Sequence, residues 1–313
     1  MTPAGRVLAD ASVDHEALAA ALAGTGVAVA PLDGVPAGDD VVGVVAWERR
    51  MGEAELAGLP GLRIVLTPSV GFDHIDLDAA RRHGGVWVCH VPDYCVEEMA
   101  DSSLALLLAL MRGVVALDRS VREGSWDHAV AGPLRTNRGT RLGVIGFGRI
   151  GRALATRALA LGFEVCAVDP HLPDEAISGY GVHPLSLDDA LSSCEVFSLH
   201  SLLTDDTRGM IGADEIAKMP RGALLVDTAR AALVDFDAVL AALDSGHLAG
   251  AAFDVLPVEP PSAEVPAPQR PTLIVNPHAA WYSPATEHEA YRRPAVSVRE
   301  ALEGLRPTDA LAP

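Results

Sequence analysis

LGVIGFGRIGRALATRALALGFEVCAVD, residues 142–169, runs through a strand, a glycine turn, a helix and a second strand without interruption. Residues 142–145 form a short apolar run, Gly146, Gly148 and Gly151 spell G-x-G-x-x-G, and Ile150, Leu154, Ala158 and Leu161 recur at helical spacing. Each glycine has its own steric task. The first permits the tight turn, the second lets a pyrophosphate approach the backbone, and the third lets helix and strand pack closely. The N–H groups and dipole at the start of the helix favour an anion there. Asp169 closes the second strand, where a carboxylate can accept hydrogen bonds from both hydroxyls of an adenine ribose. The unit therefore reads as a βαβ fold that binds NAD.

Outward from this unit, 313 residues suit two domains, each with its own core and a cleft between them. Lys and Arg number 24 against 42 Asp and Glu, a formal charge of −18, which argues against a nucleic-acid backbone or an anionic membrane as partner. An anionic substrate then needs local positive groups. Cys89, Cys95, Cys166 and Cys194 lack C-x-x-C or metal-ligand spacing, so neither a disulfide framework nor a metal site is expected. The N-terminus lacks a basic region followed by an apolar core, and the run 104–111 is too short for a bilayer. A soluble, cytoplasmic protein with reduced thiols is expected.

Residues 6–90 alternate apolar runs (7–9, 27–30, 41–46, 64–66 and 86–89) with helical segments at 14–23 and 77–83. Such alternation predicts a parallel, doubly wound sheet that binds ligands beyond its strand carboxyl ends. The loops to watch are Trp47-Glu48-Arg49-Arg50 and Ser69-Val70-Gly71-Phe72-Asp73. Residues 97–123 read as one long helical region, buried between domains or shared with a second subunit. Further strands are expected near 196–199, 223–226, 249–253 and 273–275. The prolines from Pro257 to Pro271 predict an irregular loop, and Pro294 is expected to kink or split a helix at 287–304.

The polar residues at these strand ends carry the chemistry. Arg230 follows the strand ending at Asp227, Asp254 ends the next, Glu259 lies just beyond it, and His278 follows the last strand. Parallel strands gather all four at one sheet edge. Arg230 suits a carboxylate and the reacting oxygen through its rigid donors. His278 suits proton exchange with that oxygen, because the imidazole pKa lies near physiological pH. Glu259 suits orienting the ring and favouring its charged form. Beside a nicotinamide site, this set fits hydride transfer at a carbon bearing oxygen.

VGFDHID (70–76), VPDYCVEEMAD (91–101), GFGRIG (146–151), DTARAALVD (227–235), AAFDV (251–255), VEP (258–260) and PHAAWYS (277–283) resemble the motifs of the D-isomer-specific 2-hydroxyacid dehydrogenase family and cover nearly the whole chain. The branch most resembled holds the C-terminal-binding proteins and the D-3-phosphoglycerate dehydrogenases. The resemblance implies an α/β chain of two doubly wound parallel-sheet domains with the active site in the cleft. Residues 1–96 and 287–313 would form a flavodoxin-like substrate-binding domain, and 97–286 a Rossmann NAD-binding domain. It implies that Arg230 binds the substrate carboxylate and carbonyl, that Glu259 and His278 form the acid/base pair, and that Val70 and Gly71 offer N–H groups to the carboxylate. For NAD it implies the three glycines with Arg149, Ile150, Asp169, Ser201, Thr228, Ala229 and Asp254, the last at the nicotinamide carboxamide. It also implies a homodimer through the coenzyme domains. His74 stands where the family usually has Asn, and Ala231 where it usually has Gly.

The resulting expectation is an enzyme that moves a hydride between NAD(H) and a small 2-hydroxy or 2-keto acid of D stereochemistry. The alternative is an NAD(H)-responsive interaction protein similar to the C-terminal-binding proteins; the full Arg230, Glu259 and His278 set favours the enzyme. Formate dehydrogenases have glutamine where this chain has Glu259, which argues against that branch. Trp281 and Trp47 offer indole walls for an apolar or thioether side chain on the substrate, whereas Arg49 or Arg50 turned inward would welcome a second negative group.

Overall fold

The computed structural model describes residues 5–311 and falls into two compact units, one running up to Tyr94 and resuming at Ser283, the other Cys95–Tyr282. The crossings sit at helix starts and not at the 96/97 and 286/287 breaks expected from the sequence. Cys95 is the N-cap of the helix Val96–Met111, and Ser283 caps the helix Pro284–Leu302 by accepting the Thr286 N–H.

In the first unit, β1 (Gly5–Ala9), β2 (Val27–Pro31), β3 (Val41–Val45), β4 (Ile64–Leu66) and β5 (Trp87–Cys89) pair in parallel in the order β2-β1-β3-β4-β5. This is the flavodoxin-like order. Its central strands are runs of Val, Ile and Leu because both faces are covered, with Val7, Val44, Val45, Ile64, Val65 and Leu66 buried. Helices start where an aspartate caps them: Asp14 accepts the Glu16 and Ala17 N–H groups, and Asp76 that of Ala79. Pro294 neither splits nor ends the helix Pro284–Leu302, contrary to expectation. The ring is buried beside Ala290, Ala295 and Val298, so packing outweighs the hydrogen bond that its missing N–H forgoes.

The second unit holds β6 (Arg141–Ile145), β7 (Glu164–Val168), β8 (His183–Pro184), β9 (Val196–Leu199), β10 (Ala223–Asp227), β11 (Leu248–Phe253) and β12 (Leu273–Val275), all parallel in the order β12-β11-β10-β9-β6-β7-β8. The chain builds outward from β6 through β8 and then returns to the other side with β9. That reversal leaves a crevice at the carboxyl ends of β6 and β9, the position where doubly wound sheets take ligands. Two cores flank the sheet, one around Phe197 and Phe253, the other around Leu107, Phe147 and Leu154.

The long helical region is two helices, a correction to the sequence reading. Val96–Met111 buries Ala100, Ser103, Leu106, Leu107 and Met111 within the second unit, and Val114–Arg122 departs from it at 61°. Gly113 makes the break with φ +62°, a left-handed conformation that glycine adopts without steric cost. Among the described residues no single helix is long and apolar enough to cross a membrane.

Candidate active site

The three glycines differ in what surrounds them. Gly146 leaves β6 with φ +94°, and a Cβ there would lie 2.6 Å from the His200 carbonyl carbon and from the Ser201 nitrogen. A Cβ on Gly151 would lie 2.2 Å from the Gly146 carbonyl oxygen. Protein backbone thus demands both. Gly148 is the opposite, exposed at the N-cap of the helix Arg149–Ala160, with nothing within 4 Å of its Cβ position and no side chain capping the helix. With no side-chain cap on them, the first N–H groups of that helix are the donors a helix start offers to a pyrophosphate. Arg149 is exposed and Ile150 half-buried in the first turn, and Ser201 donates its hydroxyl to the Ile145 carbonyl at 3.3 Å across the switch point. The residues present fit a dinucleotide.

Four strands end in an aspartate, and each carboxylate ties down a loop. Asp169, after β7, accepts the Phe147 N–H of the glycine turn and the His171 N–H, both at 3.0 Å. Asp254, after β11 and 1% exposed, accepts the Ala279 and Ala280 N–H groups at 2.9 Å, one on each oxygen. Those bonds hold the chain just past His278, whose φ of +52° is left-handed. Asp227, at the end of β10, accepts the Ala229 N–H at 2.8 Å, while the Thr228 hydroxyl lies 2.8 Å from that of Ser103. Asp10, after β1 in the first unit, accepts the Trp47, Glu48 and Arg49 N–H groups on one oxygen. The anchoring by Asp10 and Asp227 escaped the sequence reading. The signal that finds it is a repeated apolar run closed by an acid, in LAD (8–10), AVD (167–169), LVD (225–227) and AFD (252–254).

At the same edge of the second unit the structure brings Arg230, Glu259 and His278 together. His278 Nδ1 lies 2.6 Å from Glu259 Oε2. An ionised carboxylate can only accept, so Nδ1 carries the hydrogen and Nε2 is left for a reactant. Burial lowers the His278 pKa, and the Arg230 charge adds to this, but the Glu259 hydrogen bond and charge outweigh both and hold it above the ordinary histidine value. Burial raises the pKa of Glu259. The His278 bond and charge, with the Leu256 N–H and the Arg230 charge, bring it below the ordinary range instead. The half-buried Arg230 donates Nη1 to the Ala229 carbonyl at 2.9 Å. Trp281 donates its indole N–H to the His278 carbonyl at 3.0 Å and stands edge-on to Tyr282, tied to the His278 turn and half-buried.

In the first unit the loop after β4 is held by its oxygens. Ser69 donates its hydroxyl to the Gly71 carbonyl at 2.7 Å, and His90 Nδ1 bonds the Val70 carbonyl at 2.8 Å with its ring edge-on to Phe72. The N–H groups of Val70 and Gly71 meet no protein acceptor among the described residues. His74 bonds the Ala46 carbonyl at 3.0 Å through Nε2. Arg49 is turned to its neighbouring loop, where its guanidinium donates to the Leu32 and Gly34 carbonyls, and Arg50 is exposed.

Residues 104–280 match the family described as D-isomer specific 2-hydroxyacid dehydrogenase, NAD binding domain. The chain is 37% identical over 235 residues to the glycerate dehydrogenase of Methylorubrum extorquens, covering 73% of this chain and 72% of that protein. It is 36% identical over 256 residues to the D-3-phosphoglycerate dehydrogenase of Mycobacterium bovis, covering 82% of this chain but 48% of that one, so it spans about half of that relative's length. Among solved structures, the D-lactate dehydrogenase of Aquifex aeolicus complexed with NAD and lactic acid matches with a TM-score of 0.86 at 29% identity, over 95% of this chain and 96% of that one. The chain belongs to the D-isomer specific 2-hydroxyacid dehydrogenase family. As a member it is an oxidoreductase of 2-hydroxy acids whose coenzyme is NAD.

Proposed function

We propose that Arg230, Glu259 and His278 carry the interconversion of a 2-keto acid and its D-2-hydroxy acid. The carrying observation is the 2.6 Å bond from His278 Nδ1 to Glu259, with the Arg230 charge acting on both groups. NAD(H) supplies or accepts the hydride at the reacting carbon. Arg230 directs its donors at the substrate carboxylate and at the keto oxygen, where negative charge develops during reduction. His278 gives the Nε2 proton to that oxygen; in the oxidation the neutral ring takes it back. Glu259 keeps the ring in the tautomer that presents Nε2. The N–H groups of Val70 and Gly71 serve as carboxylate donors in the first unit.

Trp281 makes the side-chain wall apolar, because its indole is tethered beside His278. The test is a panel of 2-keto acids with NADH, run on the native protein and on Trp281→Ala. Extended apolar acids should be used better than glyoxylate or phosphohydroxypyruvate, and the variant should lose roughly 10- to 200-fold on the apolar acid alone, about 1–3 kcal/mol. Turnover of none would reject the catalytic reading and favour an NAD(H)-responsive interaction protein. An equal loss on both acids would remove the indole from the pocket.

Asp169 selects NAD over NADP, since its carboxylate accepts bonds from a free 2′-hydroxyl and repels a 2′-phosphate. Asp169→Ala should weaken NADH binding and narrow the preference over NADPH in fluorescence titrations. Unchanged discrimination would place the selecting acid elsewhere.

We infer further that the protein works as a cytoplasmic homodimer through its second unit. The helix Val114–Arg122 buries none of its residues, and Val114, Val121, Trp126, Val130 and Leu134 are exposed near it, Trp126 by 91%. Solvent-facing apolar residues grouped in this way favour a protein partner. The four cysteines are free and buried, which fits a reducing compartment. Light scattering should return twice the chain mass of 32.7 kDa; a native monomer would reject the dimer, and cell fractionation reads the compartment.

A further inference from the structure

We propose that Asp227 is a positioning residue for Arg230, its buried carboxyl holding the turn that presents the guanidinium and its unpaired oxygen tuning the charge available there. This rests on the assignment of Arg230 to the substrate carboxylate.

Asp227 ends β10 with 0% exposure. Its Oδ1 accepts the Ala229 N–H at 2.8 Å, so the chain turns directly after Thr228. Thr228 is fixed in its turn by the 2.8 Å contact between its hydroxyl and that of Ser103. Arg230 Nη1 folds back onto the Ala229 carbonyl at 2.9 Å, onto the same peptide region that Asp227 holds. A carboxyl that fixes this turn therefore fixes where the guanidinium starts.

The other oxygen, Oδ2, is buried without a hydrogen-bond partner. An unsatisfied buried polar atom is costly, which makes one at the root of a functional side chain informative. The Asp227 carbonyl accepts the Asp254 N–H at 2.9 Å, so two buried aspartates lie at the ends of neighbouring strands. Their surroundings differ. Asp254 has an N–H on each oxygen, whereas only one oxygen of Asp227 is bonded. The unpaired Oδ2 leaves Asp227 a site for a proton.

Burial pushes its carboxyl up to about 7, helped by the Asp254 charge and opposed by the Ala229 and Arg230 N–H groups and the Arg230 charge. The charged groups acting on it are Arg230 on its own turn and Asp254 just past β11. From β9, Leu199 lies in register with it, and the His200 ring beyond is bonded to Ser198. With Asp227 protonated, no charge at the root of the turn draws on Arg230, whose donors act on the substrate carboxylate. Once Asp227 ionises, it competes for that charge, and substrate binding weakens as pH rises.

Steady-state kinetics of the full chain with NADH and a 2-keto acid decide this, comparing the native protein with Asp227→Asn and Asp227→Ala from about pH 6 to about pH 9. The native KM for the keto acid should rise severalfold on the alkaline side. In Asp227→Asn, which keeps the acceptor for Ala229 but forms no charge, that rise should be absent. His278 titrates in both proteins, so the difference between the two curves isolates Asp227. Asp227→Ala, which frees the turn, should raise KM by about tenfold at every pH. Native and Asn curves of one shape would overturn the proposal, as would an Ala variant with native KM. If the Ala variant fails to fold, the Asn curve decides alone. Carbon-13 NMR titration of the Asp227 carboxyl needs no substrate: a midpoint in the ordinary carboxylate range overturns the proposal even where turnover is normal. A midpoint near neutrality in a protein that reduces no 2-keto acid would sink the reading of Arg230 instead.

Discussion

Replacement of His278 by alanine is expected to lower kcat for ketone reduction by roughly 10²- to 10⁴-fold, the usual contribution of a general acid, with NADH affinity near native. The direction follows from the hydrogen bond: Glu259 holds Nδ1, so Nε2 is the nitrogen that meets the substrate oxygen. The pH dependence follows from the raised pKa of His278. Ketone reduction needs the imidazolium, so it is supported below that pKa and lost as pH rises through it; oxidation runs the other way. Glu259→Gln removes the charge that raises the pKa, so the alkaline loss of reduction should begin at lower pH, with a smaller fall in kcat than for His278→Ala. Pre-steady-state reduction of a 2-keto acid by NADH, followed across pH, reads both effects. Near-native turnover in His278→Ala would remove the imidazole from the mechanism, and an unmoved pH profile in Glu259→Gln would remove the carboxylate's influence on it.

Gly151→Ala should both destabilise the second unit and abolish tight coenzyme binding. The new methyl would stand 2.2 Å from the Gly146 carbonyl oxygen and 3.2 Å from a Val144 methyl. The first is backbone, fixed by the turn, so the helix Arg149–Ala160 must lift from β6 or the turn must deform. A forced overpacking of this kind costs roughly 3 kcal/mol or more, which lowers the melting temperature of a unit this size by about 6–12 °C. Gly148→Ala is the control, because its Cβ enters open space at φ −71°, which alanine adopts freely. That variant should melt like the native protein and still bind NADH poorly, since the methyl occupies the pyrophosphate's approach. Calorimetry with and without NADH separates the two. A Gly151→Ala protein melting within about 2 °C of native would show that the helix yields without cost, against the steric argument.

Much of the fold was legible because the properties that decide it are local. Unbroken runs of Val, Ile and Leu mark strands covered on both faces, and the glycine pattern of residues 146–151 assigns turn, ligand approach and helix packing to different positions. The Cβ clearances at Gly146, Gly148 and Gly151 differ in the same sense. Periodicity was blind where a break is short or packing overrides propensity. Residues 97–123 keep an apolar pattern across the bend at Gly113, and Pro294 sits inside a continuous helix because its ring is buried.

By itself the sequence determined that two parallel, doubly wound sheets form and that Arg230, Asp254 and His278 follow strand carboxyl ends, since alternating strands and helices leave those ends on one edge. Only the tertiary structure decided which atoms meet there. It turned Arg49 to the Leu32 and Gly34 carbonyls, set Asp10 under the backbone of Trp47, gave Nδ1 of His278 to Glu259, and left one oxygen of Asp227 unpaired. The physical reason is reach: steric and hydrophobic preferences act between chain neighbours, whereas a hydrogen-bond partner depends on the register of strands far apart in sequence, and that register exists only once the sheet has formed.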